Sequence, residues 1–218
     1  MLKICLKLVI TALLAGFFCL LFDYNKYEKG SKTIKKDITG IIFSITAFDG
    51  KSESELFLKC LGHTWVSVEN LTDHAISIND NEINPGELLT VSVWGISGHF
   101  GVAYNIEPQF ITECGRYDGR KSLSVSIEES DLEIIGNYIE NNPNWTFRKN
   151  CSYWSVGLWN EVAGDDYKLK TPLLLYTPSR LCRALGEFDN VEENKDFSRT
   201  GNAFIEKNGT TEELVLCY

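Results

Sequence analysis

The spacing of apolar and polar residues changes along this chain, and the changes divide it. From Leu8 to Phe22 the run LVITALLAGFFCLLF carries no charge and one polar residue, Thr11, and Lys3 and Lys7 precede it. A buried helix of a globular domain would keep a polar face, whereas this segment is apolar all round, so residues 1–22 read as a targeting segment. Its apolar run is shorter than the roughly 20 residues that usually cross a bilayer, and no small-x-small cleavage site follows. Signal peptide and uncleaved membrane anchor therefore both stand. In either case the basic flank stays inside and the remainder is exported. Cys19 follows Phe17 and Phe18 and lacks the small preceding residue that lipidation requires. Residues 23–37 are polar and lysine-rich without periodicity, which predicts a linker.

A folded domain is expected over 38–218, with a C-terminal extension from about 189. Alternation predicts strands at 41–48, 63–68, 74–78, 88–94 and 101–106, separated by turn residues at 70–73, Asn84-Pro85-Gly86 and Ser97-Gly98. After residue 125 the period lengthens. Leu132, Ile135, Tyr138 and Ile139 share a helical face, Ser126 with Glu129 fits a capping box, and Asn141-Asn142-Pro143 ends that helix. A second helix is expected from Cys151 to about Ala163, with Trp154, Ser155, Leu158 and Val162 on the face of Cys151 and Gly164 as its C-terminal cap. A third is expected from Pro178 to Phe188 behind the cap Thr177, and a hairpin around Asn208-Gly209. Strands followed by helices define an α+β fold, an antiparallel sheet packed against helices.

Composition narrows the function. The net charge of −9, more negative once the lysines of the leading segment are set aside, disfavours nucleic acid and anionic lipid as partners. Beyond residue 22 there are five cysteines, Cys60, Cys114, Cys151, Cys182 and Cys217. Thiols tend to pair outside the cytoplasm, and an odd number leaves one over. There is no Cys-x-x-Cys pair and the three histidines are scattered, so neither a structural zinc site nor a cofactor is expected.

Cys151 opens its helix, where unpaired amides and the helix dipole favour a thiolate and an amide can face an oxyanion. The alternative is a core cysteine, since cysteine is among the most buried residues. A thiolate nucleophile needs a base. With 70–73 as a loop, Glu69 would pair with His74 and His63 with Asp80, which separates the two histidines by about 20 Å. His99, between Gly98 and Phe100-Gly101, is expected in a loop. His63 is the favoured base, because Gly62 permits close approach of another backbone and Trp65 on the same strand face can exclude water. A buried, satisfied histidine is its alternative.

The strings Gly62-His63-Thr64-Trp65-Val66-Ser67-Val68, Trp94-Gly95, Gly101-Val102-Ala103-Tyr104-Asn105-Ile106-Glu107 and Asn150-Cys151-Ser152-Tyr153-Trp154 resemble, in order and spacing, the motifs of circularly permuted papain-like cysteine hydrolases. These are relatives of the NlpC-type cell-wall peptidases. The resemblance covers about 40–188 and implies a permuted fold, with the histidine strand before the cysteine helix, His63 as base and Cys151 as nucleophile. Such sites orient the histidine with a polar side chain on a neighbouring strand. Glu107, Asn105, Ser92 and Asn79 qualify, and Glu107 leads, its alternative being a surface carboxylate at a strand end. Asn150 shapes the turn into the helix. The expected function is an exported hydrolase of amide or ester bonds, with peptidoglycan stem peptides implied by the resemblance. An inert envelope module using the same groove for binding is the competing reading. Cys151 is then the unpaired thiol, and Cys60, Cys114, Cys182 and Cys217 are the disulfide candidates. Substrate, oligomeric state and cleavage of the leader stay open.

Overall fold

Beta-branched and aromatic residues dominate the runs that form strands here, and burial on both faces marks the central ones. The structure is a computed structural model that describes residues 40–50, 62–96, 99–170, 176–198, 201–207 and 209–213, all within the unit Ser31–Tyr218. The leading segment, the linker, Cys60 and Cys217 lie outside these residues. Among the described residues no helix is long and apolar enough to cross a membrane.

The elements follow in chain order as β1 (Ile41–Phe48), β2 (His63–Asn70), β3 (Ile76–Ile78), β4 (Asn81–Ile83), β5 (Leu88–Ile96), β6 (His99–Tyr104), α1 (Ile106–Thr112) and β7 (Lys121–Ile127). Then come α2 (Asp131–Asn141), α3 (Cys151–Val162), α4 (Pro178–Leu185), β8 (Glu192–Glu193), β9 (Phe204–Lys207) and β10 (Thr210–Glu213). The fold is α+β. One eight-stranded sheet, in the order β10-β9-β6-β5-β2-β1-β7-β8, pairs antiparallel throughout, and β3 and β4 form a separate ribbon.

Strands β1 and β2 sit at the middle and are buried at every position. One face is apolar. Ile41, Phe43, Ile45 and Ala47 of β1, Val66 and Val68 of β2, and Val91 and Val93 of β5 pack beneath the helices. Helix α3 lies on β2, β5 and β1, α4 on β1 and β7, and α2 on α3 and β3. Trp159 of α3 stacks on Phe43 at 5.5 Å. Because α3 is covered by the sheet below and by α2 beside it, its burial exceeds the expected single face and adds Ser152, Val156 and Trp159.

The opposite face is covered by α1 and by the segment around Lys195 and Phe197, and it carries a buried polar inlay. Ser44 bonds Ser124 and Thr46 bonds Ser122, each at 2.8 Å. Lys195 Nζ reaches Ser44 Oγ at 3.0 Å and Glu69 Oε2 at 3.4 Å. Arg120 holds this strap by donating from Nε and Nη2 to the Lys195 carbonyl at 3.0 and 2.5 Å.

Several local expectations change. Strand β2 pairs with β1 and β5, not with 74–78, which is replaced by the β3–β4 ribbon starting at Ile76. His74 thus lies in a bend, where Asn70 fixes the turn by donating Nδ2 to the His74 carbonyl at 2.8 Å. Strand 101–106 ends at Tyr104, and Ile106 begins α1. His99 opens β6 instead of lying in a loop. Ser126 belongs to β7, paired with Ile42, so no capping box forms and Ser130 precedes α2. Gly164 does not take the left-handed cap conformation, and α3 ends at Val162. Thr177 caps α4 as expected, but the helix stops at Leu185. The tail hairpin forms as β9 and β10, with Gly209 at φ +74°, and β9 joins β6 at the sheet edge.

Gly62, just before the histidine strand, has φ +64°, and a Cβ there would run into the Phe48 carbonyl oxygen and the Pro178 side chain. Gly40 has φ +90° but open space around it. Gly62→Ala is therefore expected to combine backbone strain with a clash and to lower the unfolding free energy by about 2–4 kcal/mol, against about 1 kcal/mol for Gly40→Ala. Urea denaturation of the two variants checks the ordering.

Candidate active site

Asn150 sets the start of α3. It is extended, its Oδ1 accepts from the Tyr153 N–H at 3.0 Å and its carbonyl from the Trp154 N–H at 3.0 Å. Its Nδ2 donates to the Tyr176 carbonyl at 2.8 Å, which ties the turn to the segment before α4. This cap leaves the amides of Cys151 and Ser152 outside it, at the end of the helix where partial positive charge accumulates. Cys151 itself is half-buried and carries a free thiol.

His63, at the start of β2, is nearly buried and hydrogen-bonds the Cys151 side chain. Its Nε2 faces Glu107 Oε1 at 2.9 Å, which leaves Nδ1 for the sulfur. Its ring packs between Trp94 at 4.9 Å, Trp65 at 5.8 Å and Tyr117 at 5.9 Å, an aromatic wall that keeps water from the histidine–carboxylate bond.

Glu107 is fully buried in the first turn of α1. It is neither on a strand nor at the surface, because Asn105 turns the chain sharply after β6. Asn105 takes the left-handed conformation at φ 55°, its N–H donates to the Thr90 carbonyl at 3.0 Å, and its Oδ1 accepts from the Thr90 N–H at 3.1 Å. Both oxygens of Glu107 are then met. Thr90 Oγ1 donates to Oε2 at 2.8 Å and Ser92 Oγ to Oε1 at 2.5 Å, while Trp94 Nε1 donates to Ser92 Oγ at 2.8 Å. The hydrogen bonds thus run unbroken from Trp94 through Ser92, Glu107 and His63 to Cys151.

The electrostatics follow from this chain. Burial alone would lower the His63 pKa, but the bonds to Cys151 and Glu107 and their negative charge carry it from 6.5 up to about 9. Burial pushes the Cys151 thiol up. The bond to His63, its positive charge and the bonds from the Thr64 hydroxyl and main chain outweigh that and hold it below the ordinary thiol value. Glu107 is likewise pushed up by burial and held below the usual carboxylate value by His63, Ser92 and Thr90. The two shifts run in the directions that favour an imidazolium beside a thiolate, with the Glu107 carboxylate behind the ring.

Cys151, His63 and Glu107 thus come together, as do Ser92 and Asn105, the first as a donor to Glu107 and the second as the residue that aims α1. Asn79 does not; its Nδ2 bonds the Gly136 carbonyl at 3.3 Å. His74 points to Asp73 and Glu129, at 3.2 and 3.5 Å. Cys114, a disulfide candidate, is an exposed free thiol. Thr64, Thr90 and Tyr117 were not singled out from sequence. Thr90 was legible in principle, since it shares the alternation of Ser92 and Trp94. No group of three or more potential metal ligands occurs among the described residues. No family model, curated protein or solved structure matches the chain.

The pH behaviour follows from the directions of these shifts. The raised His63 contributes stability that is complete below its ordinary value and lost as pH rises through about 9. The lowered Cys151 contributes stability that is present above the ordinary thiol value and lost as pH falls through its own. Iodoacetamide should therefore alkylate native Cys151 at pH 6–7 faster than an ordinary thiol, whose rate falls about tenfold per unit below its own value. Glu107→Gln should move the Cys151 profile toward the ordinary one. Mass mapping of alkylation, with Cys114 as the internal reference, reads this directly, and equal profiles for the two cysteines would contradict the pair.

Proposed function

We propose that the chain is an exported cysteine hydrolase of permuted papain-like architecture, with Cys151 as nucleophile, His63 as acid and base, and Glu107 as the residue that orients the histidine. The observation that carries this reading is the continuous bonding from Glu107 through His63 to a half-buried thiol at a helix start. An inert binding module has no need of a thiolate held below its ordinary value, nor of a carboxylate buried solely to align a histidine. The histidine strand preceding the cysteine helix agrees with the resemblance of the motifs in the sequence.

The chemistry proceeds in two halves. The Cys151 thiolate attacks the carbonyl carbon, and the amides of Cys151 and Ser152 are placed to bind the oxyanion that forms. The His63 imidazolium gives its proton to the leaving amine or alkoxide as the carbon–heteroatom bond breaks, leaving a thioester. Neutral His63 then takes a proton from water, whose oxygen attacks the thioester and releases the acid and the thiolate. Glu107 holds the ring and stabilises its charged form without accepting the proton. The substrate class suggested by the resemblance is peptide bonds of cell-wall stems, reached at the envelope.

Incubation with defined muropeptides and with p-nitrophenyl acyl esters tests the reading. Turnover should be lost in Cys151→Ala and fall at least about a hundredfold in His63→Ala. An acyl adduct on Cys151, seen by intact mass, should build up with esters. Absence of both turnover and adduct across these substrates would overturn it.

A further inference from the structure

One loop joins α2 to α3, and it serves two neighbouring regions. Trp145 lies over Gly95 of β5, where any Cβ would strike its ring, so the loop is anchored on the apolar, helical face of the sheet, opposite the face that carries Trp94 and the histidine wall. The next residues close a tight turn. The Thr146 N–H donates to the Lys149 carbonyl at 3.1 Å, and the Lys149 N–H donates to Thr146 Oγ1 at 2.9 Å. On its other side this turn borders a cavity of about 390 Å³ between the end of α2 and the first turn of α3.

The lining of that cavity is electrically unlike the rest of the chain. The protein has 30 acidic and 21 basic residues, yet the cavity is lined by two cations, Arg148 and Lys149, and by no acid. Both cations are exposed, and neither forms an ion pair among the described residues. Its floor is aromatic. Tyr138 and Trp154 meet edge to face at 5.7 Å, and the Tyr138 hydroxyl donates to the Trp154 carbonyl at 3.1 Å. Burial, with Tyr153 and Glu161 nearby, pushes the Tyr138 hydroxyl up to about 12, so the floor stays neutral. Lys149 and Tyr153 each lie two residues from Cys151. The cavity wall therefore comes within roughly 10 Å of the Cys151 Cα, about three residues of extended chain.

We infer that this cavity is a substrate subsite that takes a carboxylate on the acyl-donor chain, two to three residues from the scissile carbonyl. The Arg148 guanidinium offers a planar fork that matches a carboxylate, Lys149 adds a second positive charge, and the aromatic floor takes the neighbouring apolar atoms. Because the turn that carries Arg148 and Lys149 leads through Asn150 straight into Cys151, capture of the carboxylate sets the register of the chain over the thiol. This inference rests on the hydrolase reading for its catalytic consequence but not for binding.

The test compares p-nitrophenyl esters of succinyl-Ala-Ala and of its succinyl methyl ester. The free carboxylate should raise kcat/KM by about tenfold at low salt, the scale of one charge-assisted hydrogen bond. That ratio should fall toward one in the Arg148→Gln, Lys149→Gln double variant and in high salt. A ratio near one in the unaltered chain, with turnover still dependent on Cys151, would overturn the subsite and leave the hydrolase standing. Should neither ester be turned over, the subsite is read by binding alone. Calorimetry of succinyl-Ala-Ala with Cys151→Ala should then show binding that the methyl ester lacks and that the added loop substitutions remove. Equal binding of the methyl ester or of inorganic phosphate, no binding at all, or no effect of the loop substitutions would overturn it.

Discussion

A carboxylate with no exposed surface must find all its hydrogen-bond donors inside the protein. Glu107 is in that position, and much of the site's construction follows from it. Removing an ion from water costs several kcal/mol even after relaxation, whereas each hydrogen bond to a charged group returns about 1.5–3 kcal/mol. Two hydroxyls and an imidazolium together are of the right size to balance the cost; one alone is not. Thr90, Ser92 and His63 must therefore converge on one point, and they do so because β2 and β5 are adjacent, with Ser67 opposite Thr90 in their register. Helix α1 has to begin there too, which is why Asn105 turns left-handed where a continuing strand would carry Glu107 away.

The two faces of the sheet divide the work. The helical face is apolar and seats α3 rigidly, so the position of Cys151 is fixed by packing. The other face holds charge and hydroxyls under cover, with Glu107 at one end and the Lys195 cluster at the other. His63 stands at the strand start, where the two regimes meet. A buried pair of charges often adds no more to stability than a well-packed apolar replacement, so stability alone does not account for the arrangement.

Much of this was legible in the residues themselves. Alternation showed the main strands, and the position of Cys151 after Asn150 showed the helix start. His63 could be chosen over the other histidines because Gly62 and Trp65 told of close approach and cover. The role of Glu107 was harder to read, since GVAYNI looks like uninterrupted strand. Pro108 directly after it, suited to a first helical turn, was the available signal for α1. The pairing of β2 with β1 instead of with 74–78 is a choice between two antiparallel partners that local pattern does not make. The contribution of the Lys195 strap, so far along the chain, depends on tertiary closure and leaves no local mark.

The Cys151–His63 contact has one further consequence, concerning time. The groups that acidify the thiol come from β2, far earlier in the chain, and the carboxylate behind them comes from α1. None of them is near Cys151 until the sheet has closed and α3 has docked. An unfolded or half-folded chain thus carries a cysteine of ordinary acidity. On the proposed mechanism, the acidity that makes the thiol a nucleophile is acquired only when the fold is complete.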